Sequence, residues 1–270
     1  MEILLSNEYK IEISMKTQFI TSPDGVRLAY DVTGQGPGLM LLHGAGKDRQ
    51  DWYKAGYVER LESDFTLITV DMRGSGDSEF LTQISDFTID KICDDLFAVA
   101  DACGAQRFAI WGYSFGGNIA RYLGARSDRI TALAVIGVPF GPAVDESFDL
   151  FINDYLEKYG HMTSPNQDGE ASQPKPKSKI KAHIPVFVAC FQAMRDWPSI
   201  EPADLKCPAM LLVGTRNKST MNYVQSERSA LDSAGIQVKI ITGLDHQKEF
   251  SQIDRVFPVV SSFLNSQIEG

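Results

Sequence analysis

Short apolar runs recur along the chain, and in each of them both odd and even positions are apolar. Runs of this kind are typical of parallel strands that are covered by helices on both faces. The six runs are Leu39–Leu42, Phe65–Val70, Phe108–Trp111, Leu133–Ile136, Met210–Val213 and Val238–Ile241. Ahead of them, Thr17–Thr21 and Val26–Val32 flank a Ser-Pro-Asp-Gly turn, which predicts an antiparallel hairpin at a sheet edge.

Segments with apolar residues at helical spacing lie between or after these runs. They are Ile89–Ala102, Phe115–Leu123, Asn222–Ala234 and Ile253–Phe263. Alternation of strands and helices with short connections predicts an α/β protein with an open, doubly wound and mostly parallel sheet.

The alternation is interrupted once, between Ile136 and Met210. Two apolar patches, Phe148–Tyr159 and Ile184–Met194, flank a polar, proline-rich segment at 161–179 that has the composition of a mobile loop. We interpret the interruption as a small helical cap over the sheet; the alternative is a crossover connection that does not contact substrate. The predicted organisation is an N-terminal extension at 1–14, an α/β core at 15–139 and 207–270, and a cap at 140–206.

Charge and composition exclude several classes of partner. The 270 residues carry a net charge of −9 without a basic block, which disfavours nucleic acid. No apolar run approaches the ~20 residues that cross a bilayer, and the N-terminus lacks the pattern of a secretory signal.

The four cysteines form no C-x-x-C pair, so we expect reduced thiols and a cytoplasmic protein. Met15 is a second plausible start for the chain.

The segment Gly112-Tyr113-Ser114-Phe115-Gly116 follows a predicted strand and precedes a predicted helix. A G-x-S-x-G sequence in that position predicts a strained turn that presents the serine hydroxyl above the sheet. The glycines allow the strand and the helix to approach closely, and the helix N-terminus favours a developing negative charge. The alternative is that Ser114 only caps the helix.

Together with three further segments, this turn resembles the α/β-hydrolase superfamily. The segments are Leu41-Leu42-His43-Gly44-Ala45-Gly46, Asp71-Met72-Arg73-Gly74-Ser75-Gly76-Asp77-Ser78, and Gly243-Leu244-Asp245-His246. The match runs from about Gly25 to Phe263 and is interrupted by the cap. The resemblance implies that Ser114 is a nucleophile, and that the backbone N–H groups of Ala45 and Phe115 bind an oxyanion.

Four histidines are candidates for the base that activates a serine: His43, His161, His183 and His246. The resemblance implies structural roles for three residues. His43 stabilises the loop that contains it, and Asp71 and Arg73 hold neighbouring loops together. His161 and His183 lie in the predicted cap. His246 follows the last strand, in a loop that could reach the space above Ser114. We therefore expect His246 to be the base.

The acid that orients the base is missing from the position where the family has it. Gly214-Thr215-Arg216-Asn217 places Asn217 where the resemblance implies an aspartate. Three interpretations stay open: Asn217 orients His246 through its amide oxygen; another carboxylate, such as Asp145, replaces it; or the triad is altered or disabled. The side chain of Asp245, which adjoins His246, is expected to point elsewhere. Under the first and third interpretations, Asn217→Asp would raise esterase turnover.

The function that this pattern favours is hydrolysis of a small ester or related acyl substrate. A serine nucleophile argues against haloalkane dehalogenase and epoxide hydrolase chemistry, for which the family uses aspartate there. The alternatives are a carbon–carbon bond hydrolase and a non-catalytic ligand-binding protein on the same scaffold.

The aromatic residues of the predicted cap favour an apolar or aromatic small-molecule substrate, although they could instead form the cap's own core. They are Phe148, Phe151, Tyr155, Phe187, Phe191 and Trp197. We expect no cofactor and no metal, and the oligomeric state stays open.

Overall fold

The computed structural model describes residues 16–160 and 179–267. Eight strands form one sheet in the order β1-β2-β4-β3-β5-β6-β7-β8. The strands are β1 Gln18–Thr21, β2 Arg27–Gly34, β3 Gly38–Leu42, β4 Thr66–Val70, β5 Phe108–Tyr113, β6 Ile130–Ile136, β7 Ala209–Gly214 and β8 Gln237–Ile241.

The first two strands are antiparallel to their neighbours, and all the other pairs are parallel. Thr21 pairs with Arg27 across the predicted hairpin, and Tyr30 of β2 pairs with Val70 of β4. The parallel pairs bring the carboxyl ends of β3, β5, β6 and β7 to the same edge, which is where ligands bind in open α/β sheets. The predicted fold class, a mostly parallel α/β-hydrolase sheet with flanking helices, is therefore confirmed.

Alternate residues of the central strands enter two separate hydrophobic cores, because successive side chains of a strand point to opposite faces. Met40 and Ile110 belong to one core, whereas Leu41 and Trp111 belong to the other. The prediction of two covered faces was wrong for β8. That strand lies at the sheet edge, and its Ile240 is 46% exposed.

Ten α-helices lie within the described ranges. They are α1 Gln50–Lys54, α2 Tyr57–Leu61, α3 Ile89–Ala102, α4 Phe115–Arg126, α5 Glu146–Tyr159, α6 Lys179–Met194, α7 Lys218–Ser226, α8 Arg228–Ser233, α9 Lys248–Ser251 and α10 Ile253–Ser266. The predicted single helix Asn222–Ala234 is divided at Glu227 into α7 and α8. Just before the break, the Ser226 hydroxyl donates to the Tyr223 carbonyl, a local bond of the kind that bends helices.

Helices α5 and α6 lie between β6 and β7 in the chain and contain the two predicted apolar patches. Aromatic side chains connect them: the ring of Phe191 on α6 contacts Phe148, Phe151 and Tyr155 on α5 at centroid distances of 5.5 to 6.0 Å. The predicted mobile loop falls almost wholly outside the described residues, as do the 1–14 extension and His161. Within the described ranges, no helix is long and apolar enough to span a membrane.

Candidate active site

Ser114 lies in a strained turn at the end of β5. It is the one non-glycine residue in the described ranges with a positive φ, at 53°, and it directly precedes α4. The strain is maintained by close packing, because a Cβ on Gly116 would overlap the Leu42 carbonyl oxygen of the neighbouring strand. The turn thus holds the Ser114 hydroxyl at the carboxyl edge of the sheet, as the motif predicts.

His246 lies opposite Ser114 in the loop that follows β8. Its Nε2 is 2.8 Å from Ser114 Oγ. Tyr113 supports the ring twice: the two rings stack at a centroid distance of 5.3 Å, and the Tyr113 hydroxyl donates to the His246 carbonyl over 2.7 Å. The structure therefore brings together the two side chains that the sequence analysis paired.

The third partner of this arrangement is Glu249, which the sequence analysis did not identify. Glu249 Oε2 is 3.0 Å from His246 Nδ1, and the Glu249 side chain is fully buried. The backbone N–H of Gly214 donates to Oε1 over 2.7 Å. Since Nδ1 faces this carboxylate, Nδ1 carries the ring proton, and Nε2 is left free to accept the proton of the Ser114 hydroxyl.

Asn217 binds Glu249, which contradicts the first of the three interpretations, that its amide oxygen orients His246. Its Nδ2 donates to Glu249 Oε2 over 3.0 Å and to the Gly137 carbonyl over 2.9 Å, while its Oδ1 accepts from the Thr220 backbone N–H at the start of α7. These partners fix the amide, since carboxylate and carbonyl oxygens only accept and a backbone N–H only donates. The amide oxygen therefore points away from the His246 ring, although Nδ2 lies 3.3 Å from Nδ1.

Neither of the alternative carboxylates contacts His246. Asp145 caps the N-terminus of α5, where it accepts from the Phe148 backbone N–H over 2.7 Å. Asp245 pairs with Lys248 at 2.9 Å, and these hydrogen bonds lower the pKa of the Asp245 carboxyl. Asp145, the substitute named in the sequence analysis, therefore does not contact the His246 ring, and the Asp245 side chain points elsewhere as expected.

Glu249 could have been found only from helical spacing after His246. Residues three apart face each other on a helix, and Glu249 is three residues beyond His246. Helix α9 has only four residues, Lys248–Ser251, which is too short to show a hydrophobic period. The three-residue spacing was present in the sequence, but nothing in the sequence distinguished Glu249 from an ordinary surface glutamate.

The resemblance implied structural roles for His43, Asp71 and Arg73, and all three are buried. His43 Nε2 accepts from the Met72 backbone N–H over 3.3 Å, and burial lowers the pKa of the His43 ring, which keeps it neutral. Asp71 pairs with Arg49, and Arg73 pairs with Asp95 at 2.6 Å. These residues connect the loops around the site and do not line the cavity beside Ser114.

A cavity of about 570 Å³ opens beside Ser114 and His246. Apolar side chains from α5 and α6 form part of its wall, among them Phe148, Phe151 and Phe191. Both predicted oxyanion donors, Ala45 and Phe115, line it as well, and neither backbone N–H has an acceptor among the described residues. Such a volume suits a small organic molecule.

Metal ligation has no support within the part of the chain that the structure describes. No group of three or more His, Cys, Asp or Glu side chains there could hold a metal ion. All four cysteines are free thiols, and burial raises the pKa of each of them: Cys93, Cys103, Cys190 and Cys207.

Comparison with known proteins agrees with the fold described above. Residues 37–162 match a family model described as the alpha/beta hydrolase fold. A solved structure of a thermophilic esterase from Thermogutta terrifontis, with malate bound, superposes with a TM-score of 0.73 at 23% identity and covers 93% of this chain and 99% of that chain. The chain has the α/β-hydrolase fold, and its residues 37–162 carry the sequence pattern of that fold's family model.

Curated proteins that are similar to this chain include two kinds of enzyme. Epoxide hydrolase 3 of Xenopus tropicalis is 27% identical over 89% of this chain and 75% of its own length. A pimeloyl-[acyl-carrier protein] methyl ester esterase of Vibrio vulnificus is 35% identical over 40% of each chain. The chain also matches mammalian bifunctional epoxide hydrolases, of whose length it spans 22%.

Proposed function

We propose that the protein is a serine hydrolase of small esters or related acyl substrates, acting through Ser114, His246 and Glu249. The observation that carries this proposal is the continuous line of hydrogen bonds from Ser114 Oγ through the His246 ring to Glu249, at 2.8 and 3.0 Å. A serine in the strained turn after β5 favours the ester chemistry of the Vibrio relative over epoxide opening, for which the family uses an aspartate at that position.

In the first half of the reaction, Ser114 Oγ attacks the ester carbonyl carbon while its proton moves to His246 Nε2. The carbonyl oxygen becomes an oxyanion, for which the Ala45 and Phe115 N–H groups are the expected donors. His246 then gives its proton to the departing alcohol oxygen, and the carbon–oxygen bond breaks to leave an acyl group on Ser114. Water repeats the sequence and releases the acid.

Glu249 contributes in two ways. It accepts a hydrogen bond from Nδ1–H, which fixes the tautomer that the reaction needs, and its negative charge stabilises the imidazolium that forms when Nε2 takes the serine proton. Asn217 and the Gly214 N–H hold both carboxylate oxygens in place, so Asn217 acts as a positioning residue for the acid.

A fluorophosphonate probe tests the nucleophile directly. We expect stoichiometric labelling of Ser114, with loss of fluoride from phosphorus and formation of an Oγ–phosphorus bond, and no labelling of Ser114→Ala protein. Mass spectrometry of the digested protein locates the adduct. Absence of labelling in folded wild-type protein would support a non-catalytic binding protein on this scaffold.

Gly137 is where a small side chain would disturb the site most directly. Its φ is +79°, and a Cβ there would overlap Glu249 Oε2 and lie 2.9 Å from His246 Nδ1. We expect Gly137→Ala to lower kcat by about 10²-fold, because small displacements of catalytic groups have effects of that size. Gly25→Ala is the control: its φ of +92° imposes similar strain, but nothing lies within 4 Å. Equal kcat in the two variants, measured with para-nitrophenyl acetate, would contradict the proposed geometry.

A further inference from the structure

The cavity beside Ser114 contains a buried positive charge that the proposed reaction does not use. Arg121 on α4 lines the cavity and is only 1% exposed. Its guanidinium donates to the carbonyl oxygens of Pro139 and Gly141 and to Asn118 Oδ1. All of these acceptors are neutral, and no ion pair joins Arg121 to a carboxylate anywhere in the described ranges.

The two other buried arginines behave differently. Arg49 pairs with Asp31 at 3.0 Å and also with Asp71, whereas Arg73 pairs with Asp95 at 2.6 Å. Burial disfavours the charge on both, but the carboxylates more than offset it, so the pKa of each guanidinium lies above its usual value. For Arg121, burial dominates and lowers the pKa to about 10.

An uncompensated buried cation is costly, and proteins usually pair it with an anion. The guanidinium has five N–H groups. One N–H on Nη2 has no acceptor among the described residues, since Asn118 Oδ1 takes only the other. Glu201 acts on Arg121 through space without forming an ion pair. The charge is therefore uncompensated within the described protein, on a side chain that borders the substrate cavity.

We propose, on the basis of the proposed function, that Arg121 binds a carboxylate of the substrate, so that the preferred substrate is an ester carrying an anionic group at the far end of an apolar spacer. Arg121 is seven residues beyond Ser114, or roughly 10 Å along the helix axis. Its side chain leans toward the helix N-terminus, and therefore toward Ser114. The apolar wall formed by Phe148, Phe191 and Met194 suits a methylene spacer.

One acidic side chain, Asp145, lines the same cavity, but it has donors of its own. Its carboxylate accepts from the Phe148 N–H at 2.7 Å, the Ser147 hydroxyl at 2.8 Å and the Ser219 hydroxyl at 3.3 Å. It does not pair with Arg121. Its charge opposes an anionic ligand, so removing that charge should favour the ligand, whereas removing the charge of Arg121 should weaken its binding.

The experiment compares esters that differ only in a terminal carboxylate. The first pair is mono-para-nitrophenyl suberate and para-nitrophenyl octanoate, with the carboxylate on the acyl part. The second pair is the acetate ester of hydroxyhexanoate and hexyl acetate, with the carboxylate on the alcohol part. For wild-type protein, we expect kcat/KM to be at least about tenfold higher for the charged member of one pair. The protein's net charge of −9 opposes that preference, so only local binding can produce it.

Two variants with opposite expected effects on kcat/KM for the charged ester complete the test. Arg121→Gln should lower kcat/KM for the preferred charged ester by about 10- to 100-fold and for its neutral match by much less. Asp145→Asn, which retains a capping side chain, should raise kcat/KM for the charged ester. Equal kcat/KM within both pairs for wild-type protein, or equal losses for both esters in Arg121→Gln, would overturn the proposal while leaving the proposed function intact.

Calorimetry separates the two proposals and does not depend on turnover. Ser114→Ala protein should bind monomethyl suberate, and it should bind the uncharged methyl octanoate much more weakly. If folded wild-type protein hydrolyses none of the four esters, the proposed function fails, and the calorimetric comparison alone decides whether the anion site exists. If Arg121→Gln does not fold, Arg121→Lys retains the charge with fewer donors and should show a smaller, intermediate loss of preference.

Discussion

Glu249→Gln is expected to lower kcat by about 10⁴-fold, the size of effect seen when a triad carboxylate becomes an amide. The Gly214 N–H needs an acceptor, so it will take the amide oxygen of the glutamine. The amide NH₂ then faces His246 Nδ1. A donor at that point forces the ring proton onto Nε2, where it blocks proton transfer from Ser114.

Asp245→Asn is the matched control for this variant. Asp245 is also acidic and lies next to His246 in the chain, but its side chain is 40% exposed and pairs with Lys248. We expect its kcat to stay within about twofold of wild type, because an exposed pair of this kind contributes little. Thermal melts establish that both variants fold. Near wild-type kcat in folded Glu249→Gln protein would eliminate Glu249 as the acid.

Exchange of the acid and the amide should recover part of this loss. In the double variant Asn217→Asp with Glu249→Gln, we expect kcat to rise about 10²-fold above that of Glu249→Gln alone. The Asn217 amide nitrogen lies 3.3 Å from His246 Nδ1, so an aspartate oxygen there could accept a hydrogen bond from Nδ1–H. Recovery stays partial because the Gly137 carbonyl loses the Asn217 donor at 2.9 Å and retains only Thr220.

The single variant Asn217→Asp completes this double-mutant cycle, and its expected sign is opposite to that derived from the sequence. It places a second carboxylate about 3 Å from Glu249, and two carboxylates that close cannot both ionise near neutrality. We therefore expect kcat to fall instead of rising. Additive effects of the two substitutions in steady-state assays would show that positions 217 and 249 do not share one acid site.

The sheet and the position of Ser114 in a strained turn were predictable because they depend on local patterns. The central strands are buried on both faces and read as continuous apolar runs, and Ser114 lies in a motif whose strand, turn and helix are contiguous in the chain. The edge strand β8 shows the limit of this reasoning. Its run Val238–Ile241 looks equally apolar, but position within a sheet depends on pairings that one segment does not encode.

The acid was not predictable for a different reason. Asn217 reaches the site from the end of β7, and Glu249 reaches it from α9, so their contact depends on how two separate loops fold together. Sequence position correctly indicated that residue 217 would lie near His246. It could not indicate that an amide there would hold a glutamate from another element.

The proposed base, His246, and the proposed acid, Glu249, belong to one short segment, from His246 to Phe250. That segment is anchored by the Tyr57 hydroxyl, which donates to the Phe250 carbonyl over 2.8 Å, and by the Phe250 ring against Trp52 and Tyr113. The two groups therefore share this anchor, in addition to the Tyr113 contacts of His246 and the Gly214 and Asn217 hydrogen bonds of Glu249. Detachment of the whole segment would therefore move both groups away from Ser114 in one event.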